Sequence, residues 1–426
     1  MQRISRGIGC LLVCWLMLVL SGVSQAQAVY VPAPLENAAL LQAINKPVLC
    51  STKNQYQNQD VANAAGLTYR IPQTFPFACY NIQWLFTYSN LLSFAAGSES
   101  LTGTATIKVG FEYAGVIYPV LFQGSPTITI VPGAIVKSDP LGISLPAGAV
   151  GRIRTYITST TSSIPRGGLS DPYNNDLSDM VTPGNTDLSY ANGTGSTYSN
   201  GFTTNNNDGW YGPIATIGLP VNPASYKPGY VLFSDSIGRG AVDNAVFGPA
   251  LKIGWLSLGA NDTVPWINCG ISGDACHNFV YNGTIRKLLA TIGGVKYAIV
   301  AYGANDVDIS GSSVSTLEND LQATYTDLAN RGLKVIACTI TPHSNSNTDN
   351  TAIAGDLAVR VPVSAWIRAR TPLNVFDFID MEAAVTGTIG SGTWANLNLT
   401  ADGNHPSNAG HILMGNAFAA KVAGYK

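Results

Sequence analysis

The spacing of hydrophobic and polar residues changes along the chain near residue 215. From about residue 100 to residue 160, short runs of alternating apolar and polar residues are separated by Gly and Pro, as in "TATIKVGFEYAGVIYPVLFQG" and "GRIRTYITS". A period of two with frequent turns is typical of antiparallel strands. The pattern predicts an all-β, sandwich-like N-terminal domain over residues 29–215.

After residue 228, short apolar segments alternate with longer amphipathic ones. The predicted strands are "GYVLF", "VPWINCGI", "KYAIVAY", "LKVIACTI" and "LNVFDF", and the predicted helices are "NFVYNGTIRKLLATIG", "SSVSTLENDLQATYTDLANRG" and "SNAGHILMGNAFAAKVAG". Strands that alternate with helices form a parallel sheet covered by helices. The pattern therefore predicts a second domain of the α/β class over residues 216–426.

The first residues have the pattern of an export signal. Arg3 and Arg6 precede the apolar run "GIGCLLVCWLMLVL", and small residues follow up to Ala28. The run is shorter than the ~20 residues that span a bilayer, although a membrane anchor is the alternative interpretation. The pattern predicts a signal peptide over residues 1–28, cleavage near Ala28, and a secreted or periplasmic protein without a stable membrane anchor.

Charge excludes one class of partner. Only 11% of the residues are charged, and the formal net charge is −2. Proteins that bind nucleic acid use clustered positive charge to neutralise phosphates, so the sequence indicates no nucleic-acid partner. The sequence gives no indication of the oligomeric state.

Seven cysteines are present, two of them in the predicted signal peptide. An oxidising compartment permits disulfides, although a sequence alone does not determine their connectivity. The simplest pairing joins Cys50 to Cys79 and Cys269 to Cys276, and it leaves Cys338 as a buried thiol in an apolar strand. No CxxC motif and no Cys/His spacing indicates zinc.

A long polar stretch covers residues 158–212. Loops of this length are usually functional or disordered. Its carboxylates could hold calcium, although they lack the ordered loop with a terminal Glu that an EF-hand has, and a solvated loop is preferred. The carboxylates concerned are Asp171, Asp176, Asp179 and Asp187.

Polar clusters lie next to the predicted strands and helices of the second domain. Ser236 follows the first strand, Gly273 the second and Asn305 the third, while Asp402 and His405 precede the last helix. Each cluster alone is more often a turn than a site. Because chemistry in parallel sheets occurs at the carboxyl ends of strands, these residues are candidates for one site. They supply a nucleophile, a base, a carboxylate and hydrogen-bond donors, which acyl transfer requires.

The motifs "SDSI", "GISGD", "GAND" and "DGNHP" occur in this order. They resemble the four blocks of the SGNH hydrolases, also called GDSL esterases and lipases, over about residues 229–426. The resemblance implies a three-layer α/β/α fold, preceded here by an unassigned β-domain. Ser234 stands where the family usually has Gly. No G-x-S-x-G motif indicates the alternative α/β-hydrolase fold.

The resemblance also implies roles for the candidate residues. Ser236 corresponds to the nucleophile, His405 to the base and Asp402 to the acid of the triad. Ser236, Gly273 and Asn305 correspond to the donors of the oxyanion hole. This chemistry requires neither a metal nor a cofactor.

The implied function is that of a secreted serine esterase acting on acyl esters, with short acyl chains such as acetyl favoured. Family members with an N-terminal β-domain often remove acetyl groups from polysaccharides, so an acetylated polysaccharide is the first expected substrate. A lipase or thioesterase of the same mechanism is one alternative, and a glycan-binding protein with an inactive hydrolase-like domain is another. Aromatic residues suited to stacking on sugar rings, or to a hydrophobic core, are Tyr56, Tyr69, Tyr80, Trp84, Trp210 and Tyr211.

Overall fold

The structure is a computed structural model. It describes residues 46–52, 54–56, 59–62, 66–89, 99, 103–166, 180–183, 211–243 and 252–425. The predicted signal peptide, the four Asp residues considered as calcium ligands, and Trp210 lie outside these ranges. Within them, no helix combines the length and apolar character needed to cross a membrane.

The strands of the N-terminal part pair antiparallel, except for Asn54–Gln55 (β2). Their bounds are β1 Val48–Leu49, β2 Asn54–Gln55, β3 Gln59–Ala62, β4 Leu67–Phe75, β5 Cys79–Thr87, β6 Ala105–Tyr113, β7 Val116–Val120, β8 Thr127–Ile130, β9 Ile135–Lys137, β10 Leu141–Leu145, β11 Ala149–Ser159, β12 Ser163–Arg166, β13 Met180–Pro183 and β14 Ala215–Pro220. One sheet has the order β1-β14-β5-β10 with β9 on β5, and another has the order β13-β4-β11-β6-β7 with β8 on β6. Both sheets contribute to one hydrophobic core. The predicted antiparallel β-domain is confirmed.

An ion-pair cluster joins three neighbouring strands of the second of these sheets. Glu112 of β6 accepts hydrogen bonds from Arg70 of β4 and from Arg154 of β11, at 2.8 Å and 2.7 Å. Burial alone would raise the pKa of Glu112, but the two guanidinium groups outweigh it and lower this pKa to about 2. The carboxylate therefore remains ionised within the sheet.

The C-terminal part is an α/β domain. Its strands are β15 Gly229–Ser234, β16 Trp266–Gly270, β17 Val295–Ala301, β18 Lys334–Cys338 and β19 Val375–Ile379. Its helices are α1 Ser236–Arg239, α2 Gly254–Ala260, α3 Cys276–Asn282, α4 Thr284–Leu289, α5 Ala304–Asp308, α6 Val314–Asn330, α7 Ala354–Arg368, α8 Met381–Val385 and α9 Asn408–Val422. The strands pair in parallel, in the order β19-β18-β17-β15-β16-β2.

Both faces of this sheet are covered, as the predicted three-layer fold requires. Successive side chains of β15 point in opposite directions. Val231 and Phe233 pack in one core with residues of α3, α4, α6 and α7. Tyr230 and Leu232 pack in a second core with residues of α2 and α9. The predicted parallel sheet between two layers of helices is confirmed.

Two helical features differ from the sequence pattern. The helix predicted over 278–293 is divided into α3 and α4 at Gly283, whose N–H donates to the carbonyl of Phe279 and ends α3. Helix α7 has no counterpart among the predicted helices, and it contains Pro362 in its interior. Because Pro removes a helical hydrogen bond, its presence argues against a helix when the sequence is considered alone.

The two parts of the chain are joined by more than a linker. Strand β2 comes from the N-terminal part, yet it pairs in parallel with β16 at the edge of the C-terminal sheet. Strand β14 Ala215–Pro220 pairs with β5 in the antiparallel sheet. Leu49, Tyr56 and Leu85 also share a core with the C-terminal domain. The parallel sheet is therefore completed by residues from outside its own segment.

The aromatic residues considered for sugar stacking are mostly core residues. Tyr56, Tyr69, Trp84 and Tyr211 are buried, and only Tyr80 is partly exposed among those described. The hydroxyl of Tyr211 donates to the carbonyl of Thr87 at 2.9 Å. Large apolar surfaces stabilise the β-domain core, so these four residues do not form a sugar-binding surface.

The two disulfides predicted from the sequence are absent. All five cysteines of the described residues are free, buried thiols. The thiol of Cys50 donates to the carbonyl of Thr216 at 3.5 Å, and that of Cys276 contacts the Thr324 hydroxyl at 3.3 Å. Burial raises the pKa of the Cys269 and Cys338 thiols. They pack as small apolar side chains, as the sequence predicts for Cys338.

Candidate active site

The candidate nucleophile lies at the point where the central strand β15 passes into α1. Ser236 is the first residue of α1, and it is 6% exposed. The carboxylate of Asp235 accepts from the N–H of Ile237 at 2.9 Å and caps the helix. Gly240 ends the helix with a φ of 90°, a conformation that favours glycine. This short helix presents Ser236 at the carboxyl end of the sheet.

Asp235 is buried next to the nucleophile. Burial raises its pKa to about 7, and the N–H of Ile237 and the charge of His405 offset this only in part. Because its carboxyl group caps α1, we interpret Asp235 as a residue that shapes the turn.

Ser234 is the last residue of β15, two residues before the candidate nucleophile. Its hydroxyl donates to the carbonyl of Ala301 on the neighbouring strand β17, at 2.8 Å. A Cβ atom added to Gly238 would lie 2.1 Å from this hydroxyl oxygen. The serine fits the turn because residue 238 has no side chain.

We expect Gly238→Ala to lower the free energy of unfolding by about 1–3 kcal/mol, because the new methyl group would overlap the Ser234 side chain. Alanine stabilises a helix more than glycine does, so a loss of stability would come from the contact with Ser234. The measurement is urea denaturation of the wild type, of Gly238→Ala, and of the double variant Ser234→Gly/Gly238→Ala. The double variant should recover most of the loss. Equal destabilisation in the single and double variants would contradict the explanation.

The candidate base and acid lie on the loop before α9. The Ser236 hydroxyl and Nε2 of His405 are 2.9 Å apart, and Nδ1 of His405 lies 2.7 Å from Oδ2 of Asp402. The other oxygen of Asp402 accepts from the backbone N–H groups of Asn404 and His405, at 2.9 Å and 2.7 Å. The structure thus brings the three sequence-predicted residues into one continuous hydrogen-bonded row.

The charges along this row follow from the contacts. The hydrogen bond with Asp402 raises the pKa of His405, and burial opposes that rise. Burial alone would raise the pKa of Asp402, but the hydrogen bonds from His405 and Asn404 outweigh burial and lower this pKa to about 2. An ionised Asp402 accepts the proton on Nδ1 of His405. Nε2 is then left unprotonated and can accept the proton of Ser236.

The candidate oxyanion donors lie at the ends of three adjacent strands. Ser236 follows β15, Gly273 follows β16, and Asn305 lies in the first turn of α5 after β17. Gly273 has a φ of 74° in the turn before α3. The Asn305 side chain donates from Nδ2 to the carbonyl of Asp274 at 2.9 Å, and its amide carries a second hydrogen. The N–H of Ser236 opens a helix, so it has no acceptor within that helix.

Two acidic residues near these donors have structural partners. Asp306 accepts from the N–H groups of Cys276 and His277 at the start of α3, and burial raises its pKa to about 6. Asp274 accepts from the buried guanidinium of Arg286 at 2.6 Å. These contacts hold α3, α4 and α5 together behind the candidate site.

Asp308 anchors the loop of the candidate base. Its Oδ2 accepts from Asn404 at 2.9 Å, and its Oδ1 accepts from Arg360 at 2.6 Å. His343 contacts both Asp308 and Asp356, and these three side chains could together hold a cation. Since the guanidinium of Arg360 already contacts the same carboxylates, it supplies the positive charge there. The sequence did not identify this anchor, because its members lie far apart along the chain.

The other described histidines do not reach Ser236. His277 pairs with Asp320 on α6 at 3.2 Å. His411 is fully buried in α9, and burial lowers its pKa. His405 is thus the histidine that contacts the candidate nucleophile within the described residues.

Several solved structures are similar to about half of this chain. A lipolytic protein of the G-D-S-L family from Veillonella parvula has 22% identity, over 46% of this chain and 99% of its own, with a TM-score of 0.35. A GDSL-like lipase from Bacteroides thetaiotaomicron has 15% identity, over 46% and 87%, with a TM-score of 0.35. The acetylxylan esterase Axe2 from Geobacillus stearothermophilus has 19% identity, over 47% and 96%, with a TM-score of 0.34.

Family-level comparison covers the segment that carries the four motifs. No curated protein sequence matches the chain. Residues 235–413 match the model of the GDSL-like lipase/acylhydrolase family, from the turn that holds Ser236 into helix α9. The resemblance to the GDSL esterases and lipases noted in the sequence is confirmed over these residues.

Proposed function

We propose that this protein is a serine esterase that hydrolyses acyl esters through Ser236, His405 and Asp402. One observation carries the proposal: an unbroken hydrogen-bonded row runs from the Ser236 hydroxyl through both nitrogens of His405 to the Asp402 carboxylate. A serine hydroxyl is a weak nucleophile until a base accepts its proton, and this row supplies the base and its orientation.

The reaction takes two half-steps. In the first, Nε2 of His405 accepts the Ser236 proton while Oγ forms a bond with the acyl carbon, and the carbonyl electron pair moves to its oxygen. When this intermediate collapses, the bond to the alcohol breaks and His405 protonates the leaving oxygen. In the second half-step, water loses a proton to Nε2 of His405 and attacks the acyl carbon. When this second intermediate collapses, the bond to Oγ breaks, the acid leaves and His405 returns the proton to Ser236.

The negative oxygen formed in each half-step needs donors that are already in place. The amides of Ser236 and Gly273 and the free hydrogen of the Asn305 carboxamide are proposed for this role. Loss of one such donor typically costs ~100- to 1,000-fold in turnover. All three come from turns at the carboxyl end of the parallel sheet, which is rigid because it is packed on both faces.

The proposed substrate is a short acyl group, such as acetyl, carried on a bulky alcohol such as a polysaccharide. The side chains of Asp402 and His405 are 48% and 24% exposed, so the base and acid lie at the surface. A surface site admits an ester on a polymer, whereas a deep pocket would exclude it. The proposed location is outside the cytoplasm, after cleavage near Ala28, and it rests on the signal-like pattern of residues 1–28.

The test is a series of p-nitrophenyl esters from acetate to long acyl chains, together with acetate release from an acetylated polysaccharide. We expect the highest kcat/KM on the shortest esters, and acetate release from the polymer. Higher kcat/KM on long chains would instead support a lipase. No turnover of any ester by a folded protein would contradict esterase function and favour the glycan-binding alternative.

A further inference from the structure

One carboxylate from the N-terminal part of the chain lies inside the C-terminal domain. Glu99 is only 4% exposed, and its Oε1 accepts from Nε of Arg286 at 2.5 Å. Its Oε2 accepts from the backbone N–H of Ile285 at 2.5 Å. Ile285 lies at the start of α4, so Glu99 both caps this helix and pairs with a side chain that the helix carries.

Arg286 extends this contact towards the candidate site. Its side chain is fully buried, and Nη1 donates to Oδ2 of Asp274 at 2.6 Å and to the Tyr302 hydroxyl at 3.0 Å. Burial acts to lower the pKa of Arg286, but Asp274, Tyr302 and Glu99 together raise it well above its usual value. Arg286 is therefore a buried cation that is held between carboxylates from two parts of the chain.

Asp274 connects this cation to the candidate oxyanion hole. It directly follows Gly273, and its N–H donates to the carbonyl of Ile271 within the same turn. Its own carbonyl accepts from Nδ2 of Asn305 at 2.9 Å. Asp274 thus contacts Arg286 through its side chain, accepts from Asn305 through its carbonyl and is the chain neighbour of Gly273.

We propose that Glu99 is a positioning residue for the oxyanion hole, acting through Arg286 and Asp274; this rests on the esterase function proposed above. Without Glu99, Nε of Arg286 would lose its acceptor, and Asp274 would remain as the carboxylate partner of the guanidinium. A buried donor without an acceptor is costly, so Arg286 would take up new contacts. Asp274, which Arg286 holds, would then shift together with the turn that carries Gly273 and accepts from Asn305. Oxyanion donors work only when they are held within about 0.5 Å of the required position.

The proposal gives the N-terminal part a defined role in the reaction. It supplies the outer carboxylate of a buried row, Glu99–Arg286–Asp274, that ends at Asn305. An isolated C-terminal segment would lack this carboxylate and strand β2. For this reason, point variants of the full chain test the role more cleanly than a deletion would.

The first experiment measures steady-state kinetics of Glu99→Gln, which keeps the shape of the side chain and removes its charge. A misplaced donor acts mainly when the oxyanion forms, so kcat on p-nitrophenyl acetate should fall by about 10- to 100-fold with little change in KM. The matched control is Glu112→Gln, which removes another carboxylate paired with arginine, between Arg70 and Arg154 in the antiparallel sheet. It should lower stability and leave kcat near that of the wild type.

The second experiment is a double-mutant cycle with Asn305→Ala. If Glu99 acts through this donor, Glu99→Gln should lower kcat/KM much less in the Asn305→Ala background than in the wild type. Multiplicative effects of the two changes would overturn the proposal, since they would mean that Glu99 acts elsewhere.

A variant that retains the charge separates positioning from folding. Glu99→Asp keeps the carboxylate on a shorter side chain. Its kcat should lie between that of the wild type and that of Glu99→Gln. If Glu99→Gln does not fold, the same cycle is measured with Glu99→Asp. Turnover that depends on Ser236 but is unchanged in the Glu99 variants would overturn this inference alone. A wild type that turns over no ester would overturn both this inference and the proposed function.

Discussion

Ser236→Ala is expected to reduce ester turnover by roughly 10⁵- to 10⁶-fold, the size of loss seen when a serine nucleophile is removed. The variant lacks the oxygen that forms the acyl bond, and no other group replaces it. Since the hydroxyl of Ser236 contacts His405 and alanine is compatible with the start of α1, the fold should be retained. The measurement is the initial rate on p-nitrophenyl acetate, together with a circular dichroism spectrum.

Ser234→Ala is the matched control for this variant. Ser234 lies two residues away, but its hydroxyl donates to the carbonyl of Ala301 and does not contact His405. Its loss should leave the turnover close to that of the wild type. If Ser236→Ala remained active with an unchanged spectrum, the assignment of the nucleophile would be wrong.

Asp402→Asn is expected to lower kcat by about 10⁴-fold. An asparagine can donate a hydrogen bond to Nδ1 of His405, which would leave the ring proton on Nε2, facing Ser236. This tautomer cannot accept the serine proton. The carboxylate also causes most of the rise in the pKa of His405, so the substitution should lower this pKa.

The pH profile of the Asp402 variant provides a second measurement. His405 must be neutral to act as a base, so wild-type kcat/KM should decline as the pH falls through its raised pKa. In Asp402→Asn, the lower pKa should move this decline to a lower pH. The matched control is Asp320→Asn, which removes the carboxylate partner of His277 and should change neither the rate nor the profile. If kcat/KM declined at the same pH in the wild type and in Asp402→Asn, Asp402 would not set the pKa of His405.

Much of the candidate site can be predicted from the sequence because each motif is short and local. Ser236 lies two residues after the end of β15, and Asn305 lies four residues after the end of β17. Asp402 and His405 are close along the chain, so their hydrogen bond needs only one turn. Parallel pairing then brings these strand ends to the same edge of the sheet.

Other features could not be predicted because they depend on contacts between distant segments. The Ser234 side chain fits in the turn because Gly238 has no side chain. The sequence alone does not show that these two residues are in contact. The sequence does not distinguish a core Trp84 from a sugar-binding one, since both roles use a large aromatic surface. The Cys50 and Cys79 thiols interact with each other, yet both are free, so the sequence did not determine whether the predicted bond forms.

The sequence by itself determined that the chain has a β-rich part and a parallel α/β part. The order of its motifs also determined which residues form the candidate site. Local hydrogen bonds and the alternation of side chains are sufficient for this, because they act over a few residues. Only the tertiary structure showed that β2 completes the parallel sheet and that Glu99 reaches Arg286. A polar residue such as Glu99 has the same local sequence signal whether it is solvated or buried. Its partner is decided by which charge the fold brings within hydrogen-bond distance, where leaving either charge unpaired would be costly.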